Sequence, residues 1–328
     1  MVKENEYTFN RHNVDQLLSE LAHPGWDIIA HLLSFFGHYG VPVFVMLSAY
    51  GLVKKYESHP TTQSAAAFIR THFVKLFMMM IVGYTAFVMV DYMTPHPRHY
   101  EFWNVVGQLG MFSNLYADPD HAIWPGPYWY FGLMLQLYIV YRLMLFPGKG
   151  SVAGRLTQRG AMLMAIAIAV VLMLWQMLLD PMGDALNRFR YNCLGHLPLF
   201  IAVIYATRHE QIITQRHITR TAYALTAVIG LLLIFLMSPS FLAWQMVPFV
   251  VCVTMFAIVQ VLPQTLMKPL AWVGDISAAM FVCHPITRKV IIPIAHQGDI
   301  FAALILYLAA TIILAIIFKR IMAIINTH

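Results

Sequence analysis

Apolar residues in this chain come in long blocks separated by short polar turns. The blocks fall near 38–53, 76–91, 127–146, 160–180, 191–207, 221–237, 243–262, 272–292 and 299–318. Crossing a bilayer core takes about 20 mostly apolar residues in a helix, each adding about 1.5 Å of rise. Backbone polar groups in lipid must be satisfied within their own segment, so these blocks predict helices. The block at 38–53 is short and carries glycine, and the one at 191–207 is interrupted by His196 and Pro198. Eight or nine of the nine candidates are expected to span. The stretch 102–116 is too short and polar to cross, and reads as re-entrant or interfacial. The predicted fold class is all-α: a polytopic transmembrane helical bundle of about 8–9 helices. Residues 1–37 form a polar N-terminal segment and 38–328 the transmembrane domain, with no second folded domain.

Composition agrees. The chain is 59% hydrophobic and 11% charged, against about 25% charged residues in soluble domains. The net charge of +6 does not point to nucleic acid, because no basic motif with a reader fold accompanies it. It follows instead from the cytoplasmic excess of Lys and Arg in membrane proteins. If the turn after the first block is cytoplasmic and the sides alternate, that side holds 14 of the 21 basic residues, from Lys54 and Lys55 to Lys319 and Arg320 and including Arg216. Seven fall outside: Lys3, Arg11, Arg98, Arg188, Arg190, Arg288 and Lys289. Nine spans then put the C-terminus in the cytoplasm. The same register places the polar segment 1–37, with Lys3, Glu4 and Glu6, on the outer side. No basic n-region followed by an apolar h-region precedes it, so the reading expects a transmembrane helix upstream that this sequence lacks.

Ionisable groups in or beside spans are costly, and so become functional candidates. Histidine leads them, since its ordinary pKa near 6.5 suits proton transfer at neutral pH. His31 and His38 are seven apart, and share a helix face only if the helix survives Gly37 and Gly40. Ser48 and Tyr50 follow in the same block. FIRTHFVKLF carries Arg70, His72 and Lys75, which suit either positive-inside anchoring or the phosphates of a cytosolic nucleotide-type cofactor. In WPGPYWYFGLMLQLYIVY, Trp124, Trp129 and Tyr130 read as an aromatic belt, while Gln136 and Tyr138 lie deeper and must face protein. His284 precedes Pro285, which weakens its helix and frees a backbone carbonyl; Arg288 lies one turn on. Cys193, Cys252 and Cys283 read as small buried hydrophobes. No nucleophile elbow, Walker loop, HExxH or EF-hand pattern is present, and no metal is expected.

Four separated stretches, in order, resemble the acyltransferase-3 family of integral membrane acyltransferases. GHYGVPVFVMLSAYGLVKKY is similar to that family's GVxxFFxLSGyxL segment, and FIRTHFVKLF to the basic start of the following helix. PYWYFGLMLQLYIVYRL resembles its WYLxxLLxxYLLxPLL span, and WVGDISAAMFVCHPITRKV its LGxiSYxiYLxHxPv segment. Two departures stand out. Ala49 replaces the usual Gly after Ser48, and the family's Arg-x10-His motif is missing, since Arg11 to His23 is one residue too long. The resemblance implies a multi-pass protein of the bacterial cytoplasmic membrane that moves an acetyl group from acetyl-CoA to a hydroxyl of a cell-surface or lipid-linked glycan. Arg70 and Lys75 would then hold donor phosphates, with Arg70 also placed to assist catalysis. Ser48, Tyr50, Gln136, Tyr138 and Arg288 would line the pocket with His284. The catalytic base would be His284, or His31 or His38 in place of the absent motif histidine. The partners expected are the lipid bilayer, acyl-CoA and the glycan, with no nucleic acid. A carrier or flippase without chemistry, or an inactive truncated remnant, is the alternative.

Overall fold

A computed structural model describes residues 9–58, 63–211, 218–295 and 299–325. Lys3, Glu4, Glu6 and Arg216 lie outside the described residues. Among those described, every regular element is helical. In chain order these are α1 (Arg11–Ala22), α2 (Ile28–Phe36), α3 (Gly40–Tyr56), α4 (Ala65–Met93), α5 (Phe102–Leu109), α6 (Pro119–Ala122), α7 (Trp129–Val140), α8 (Gln158–Met177), α9 (Asp184–Tyr191), α10 (Cys193–Arg208), α11 (Arg220–Met237), α12 (Phe241–Trp244), α13 (Val247–Val261), α14 (Gln264–Ala295) and α15 (Ile300–Ile325). Among the described residues, six stretches are long and apolar enough to cross a membrane: Ile28–Tyr56, α4, α8, α11, Gln264–Pro293 and α15. Helices α10 and α13 are shorter and apolar. The chain is a multi-pass membrane protein. Leu163, Leu174, Leu236 and Ile305 lie exposed on its long helices, a loss in water but not in lipid.

Each predicted block contains a helix, but the first begins earlier than 38. The run after Asp27 is already apolar and helical, and α2 passes into α3 through a 3-10 turn at Gly37–Tyr39. The two glycines thus interrupt the α-helical path without ending the apolar stretch. The segment 102–116 forms only the short α5 and a 3-10 turn at Ser113–Leu115.

The chain divides into two compact units. The first comprises Met1–Ile69 and Gln136–Leu262. Its helices start where side chains replace missing backbone partners: Asn10, Thr157, Asn192 and Thr219 cap α1, α8, α10 and α11. Helix α10 packs on α3 and α8, and α13 on α11 and α3. Val45, Ala49, Phe200, Ile204 and Val247 are wholly buried. The Ala49 methyl is therefore accommodated within a packed surface. Gly230 permits the approach of α11 to α13, because a Cβ there would meet Thr254 Oγ1 at 2.0 Å. At one end of this unit, Arg208 grips Glu57 with Nε to Oε2 at 2.7 Å and Nη2 to Oε1 at 2.9 Å. Tyr141 donates to the same Oε1 at 2.9 Å, and Arg208 reaches the Leu145 carbonyl at 2.7 Å. Lys54 pairs with Glu210 beside them. Residues 54–57, 141–145 and 208–210 therefore meet at one end, as strict alternation of the spans requires.

The second unit comprises Arg70–Leu135 and Pro263–His328. Helices α14 and α15 form its main pair, joined by the Thr287 and Thr311 hydroxyls at 2.7 Å and by Lys319 with Asp275. Its core gathers Met80, Tyr84, Tyr128, Phe131, Ala279, Val282, Cys283 and Phe318. Gly83 is the contact point of α4. A Cβ there would lie 2.2 Å from Val282 Cγ1 and 2.3 Å from Tyr128 Oη, and that hydroxyl donates to the Val282 carbonyl at 2.8 Å. Near the end of α4, Asp91 is fully buried. Its Oδ1 lies 2.6 Å from Lys289 Nζ, and its Oδ2 accepts from the Arg98 amide at 2.8 Å and the Tyr100 hydroxyl at 3.0 Å. Burial first, and then the bond to Asp91, hold the Tyr100 phenol above its ordinary range.

Two outcomes follow for stability. Gly83→Val forces a branched side chain against Val282 and Tyr128, and is expected to cost about 1–3 kcal/mol, read as a lower midpoint of thermal unfolding in detergent. Lys289→Met strands a buried carboxylate and is expected to cost about 3–5 kcal/mol. Combining it with Asp91→Asn should recover part of that loss in the same measurement.

Candidate active site

His284 sits in α14 immediately before Pro285. Proline has no N–H, so the carbonyl four residues earlier, that of Phe281, loses its helical donor. The His284 ring fills the place: Nδ1–H donates to the Phe281 carbonyl at 2.7 Å. In the neutral ring this leaves Nε2 with the lone pair. The dipeptide His-Pro thus frees a carbonyl and uses it to orient an imidazole. Phe281 packs against the ring with centroids 5.8 Å apart, and against Tyr130 and Phe131 at 5.1 and 5.8 Å. Arg288 lies one turn on and is exposed.

Arg70 and Lys75 belong to the same unit as His284. Both are exposed, and among the described residues neither has an ion-pair or hydrogen-bond partner. From Arg70 to Gly83 is thirteen residues of helix, about 20 Å, and Gly83 meets Val282, two residues before His284. The two cations therefore do not sit beside the imidazole. They stand near one end of α4 with His284 well along the helix direction. An unpaired guanidinium and ammonium suit phosphate oxygens, so the pair fits the polar end of a nucleotide-type acyl donor. A long, flexible arm would have to cover the interval to His284.

The other predicted residues lie in the first unit. Ser48 on α3 and Tyr138 on α7 are both partly buried. Gln136 Oε1 accepts from the Cys193 amide at 3.0 Å, which caps the start of α10. Tyr50 is exposed, with Lys54 Nζ 5.5 Å from its ring centre, and does not join Ser48. His38 repeats the His284 arrangement, its Nδ1 2.7 Å from the Phe35 carbonyl. His31 is buried, with Nε2 3.1 Å from Asp27 Oδ2 and 3.6 Å from Glu20 Oε1. His31 lies within α2, whereas His38 lies in the 3-10 turn that follows it.

One cluster was not anticipated. Arg190 on α9 is 2% exposed, with its guanidinium 4.1 Å from the Trp244 ring centre. His196 Nε2–H donates to the Arg190 carbonyl at 2.8 Å. Gln176 Nε2 donates to Gln245 Oε1 at 3.1 Å, and Gln245 leaves its own Nε2 without a hydrogen-bond partner. Arg190, His196, Gln176 and Gln245 border a cavity of about 10 Å³, room for one water-sized group. Available signals were His196 and Pro198 interrupting one apolar block and Gln176 closing another. Positive-inside counting places Arg190 among the outer-side cations and gives no sign of its burial.

What the second unit offers is an oriented base and, on α4, two cations without ion-pair or hydrogen-bond partners among the described residues. That combination suits proton removal from a hydroxyl and binding of an anionic donor. A family model described as an acyltransferase domain matches residues 12–320. No curated protein and no solved structure matched the chain. Because that match spans nearly the whole sequence, and the helical membrane bundle is the architecture the four motif stretches imply, the chain belongs to the acyltransferase-3 family and is a membrane acyltransferase.

Proposed function

We propose that the chain transfers an acetyl group from acetyl-CoA to a hydroxyl of a cell-surface or lipid-linked glycan, in a bacterial cytoplasmic membrane with the C-terminus in the cytoplasm. Positive-inside counting supports the orientation. The observation that carries the reading is the His284 imidazole, pinned through Nδ1 to the carbonyl that Pro285 frees, in the same unit as two cations without protein partners. Arg70 and Lys75 bind the donor's phosphates from the cytoplasmic end. Its pantetheine arm runs along α4 toward the level of Gly83 and presents the thioester near His284.

The reaction then balances without further reagents. The acceptor oxygen attacks the thioester carbonyl carbon while His284 Nε2 takes the hydroxyl proton. The tetrahedral intermediate collapses by breaking its C–S bond. The proton passes from Nε2 to the departing sulfur, and coenzyme A leaves as the thiol. Arg288 is assigned to acceptor binding rather than to proton transfer.

Transfer from labelled acetyl-CoA to membrane glycans tests the scheme. His284→Ala is expected to lower kcat by about 10²–10⁴. Arg70→Ala combined with Lys75→Ala should raise KM for acetyl-CoA while leaving most of kcat, as expected for lost ground-state binding. Transfer that survives His284→Ala but is abolished by His38→Ala moves the base to His38. A folded, membrane-inserted protein that transfers nothing to any glycan overturns the acetyl-to-glycan reading.

A further inference from the structure

Glu20 on α1, Asp27 at the start of α2 and His31 one turn later converge on one point. Asp27 and His31 share a helix face through their i, i+4 spacing, and α1 packs on α2 to bring in Glu20. His31 Nε2 lies 3.1 Å from Asp27 Oδ2 and 3.6 Å from Glu20 Oε1, and all three ligand atoms fall within 4.8 Å of one another. Sequence spacing alone did not suggest a metal here, because Glu20 belongs to another helix.

Charge and geometry both bear on what occupies that point. Neither carboxylate has a Lys or Arg partner among the described residues. Two negative charges therefore face a single imidazole nitrogen on a residue 5% exposed. One N–H cannot satisfy two carboxylates equally, so the cluster calls for a positive charge between them. Zinc bonds of about 2.0–2.2 Å in tetrahedral geometry place neighbouring ligand atoms about 3.4 Å apart. The two measured N···O separations bracket that value. The carboxylates are about one-third exposed, 29% for Glu20 and 32% for Asp27, which leaves the fourth position open to water. One nitrogen and two oxygens form a borderline donor set that suits zinc better than calcium or magnesium, which prefer all-oxygen shells.

We infer that Glu20, Asp27 and His31 form a three-ligand site for a divalent transition metal, zinc by preference, which staples α1 to the start of the first membrane helix. The site is independent of the acyl-transfer scheme proposed above, in which His284 is the base; His31, a base candidate from the sequence, is assigned here to the metal.

The chain carries fifteen histidines, so the test compares variants rather than total metal. The detergent-purified full chain, stripped with chelator, is titrated with zinc by equilibrium dialysis and, in parallel, with cobalt. Wild type should bind one tight equivalent and show the visible absorption of tetrahedral cobalt. His31→Ala and, with less disturbance of packing, Glu20→Gln should each weaken that equivalent by more than about tenfold and remove the cobalt band. Equal zinc binding and an unchanged cobalt spectrum in all three proteins would place the metal elsewhere and overturn the proposal. So would the absence of any tight equivalent in wild type, which would make the trio an ion pair centred on protonated His31. Gel filtration of Glu20→Gln separates loss of ligand from loss of fold.

Discussion

A polar group carried into an apolar surrounding has to find its partner inside the protein, and this constraint organises both units. Asp91 illustrates the demand most fully. Its carboxylate is inaccessible and takes an ammonium, a backbone amide and a phenol. Removing any one leaves a deficit that water cannot fill. In the first unit, Glu57 is served by Arg208 and Tyr141 in the same way. Such clusters sit at helix ends, where backbone partners run out, and they set which ends lie together.

The same demand produces the candidate base. Pro285 removes a donor from the ladder of α14, and the Phe281 carbonyl would be orphaned without a replacement. His284 supplies one at 2.7 Å, and the bond selects the tautomer with its lone pair on Nε2. A packing defect and a catalytic preference are therefore one local event. Chemistry of this kind depends on orientation more than on residue type, because a histidine free to rotate would spend little time aimed at an acceptor.

Close packing without a hydrophobic drive between lipid-exposed helices calls for small residues at the crossing points. Gly83 and Gly230 fill that role, each facing a side chain that a Cβ would strike. Gly83 in particular fixes the depth of α4 against Val282, and with it the interval between the Arg70 and Lys75 cations and the level of His284.

The sequence by itself determined the fold class and most of the spans, because the need for about 20 apolar residues per crossing is written locally along the chain. It also carried the His284–Pro285 device, whose carbonyl lies only three residues from the histidine, and the break at Gly37 and Gly40. Only the tertiary structure decided what lies across helices. The first apolar helical stretch starts at Ile28, and within it His31, polar in the sequence, finds two carboxylates. Gln176 meets Gln245 across 69 residues, and Tyr128 meets Val282 across 154. Charge counting sets Arg190 among the outer-side cations, yet it is buried against Trp244. Helical periodicity reports which residues share a face but not which helix that face meets. Pairs separated by one or more spans are settled by packing alone.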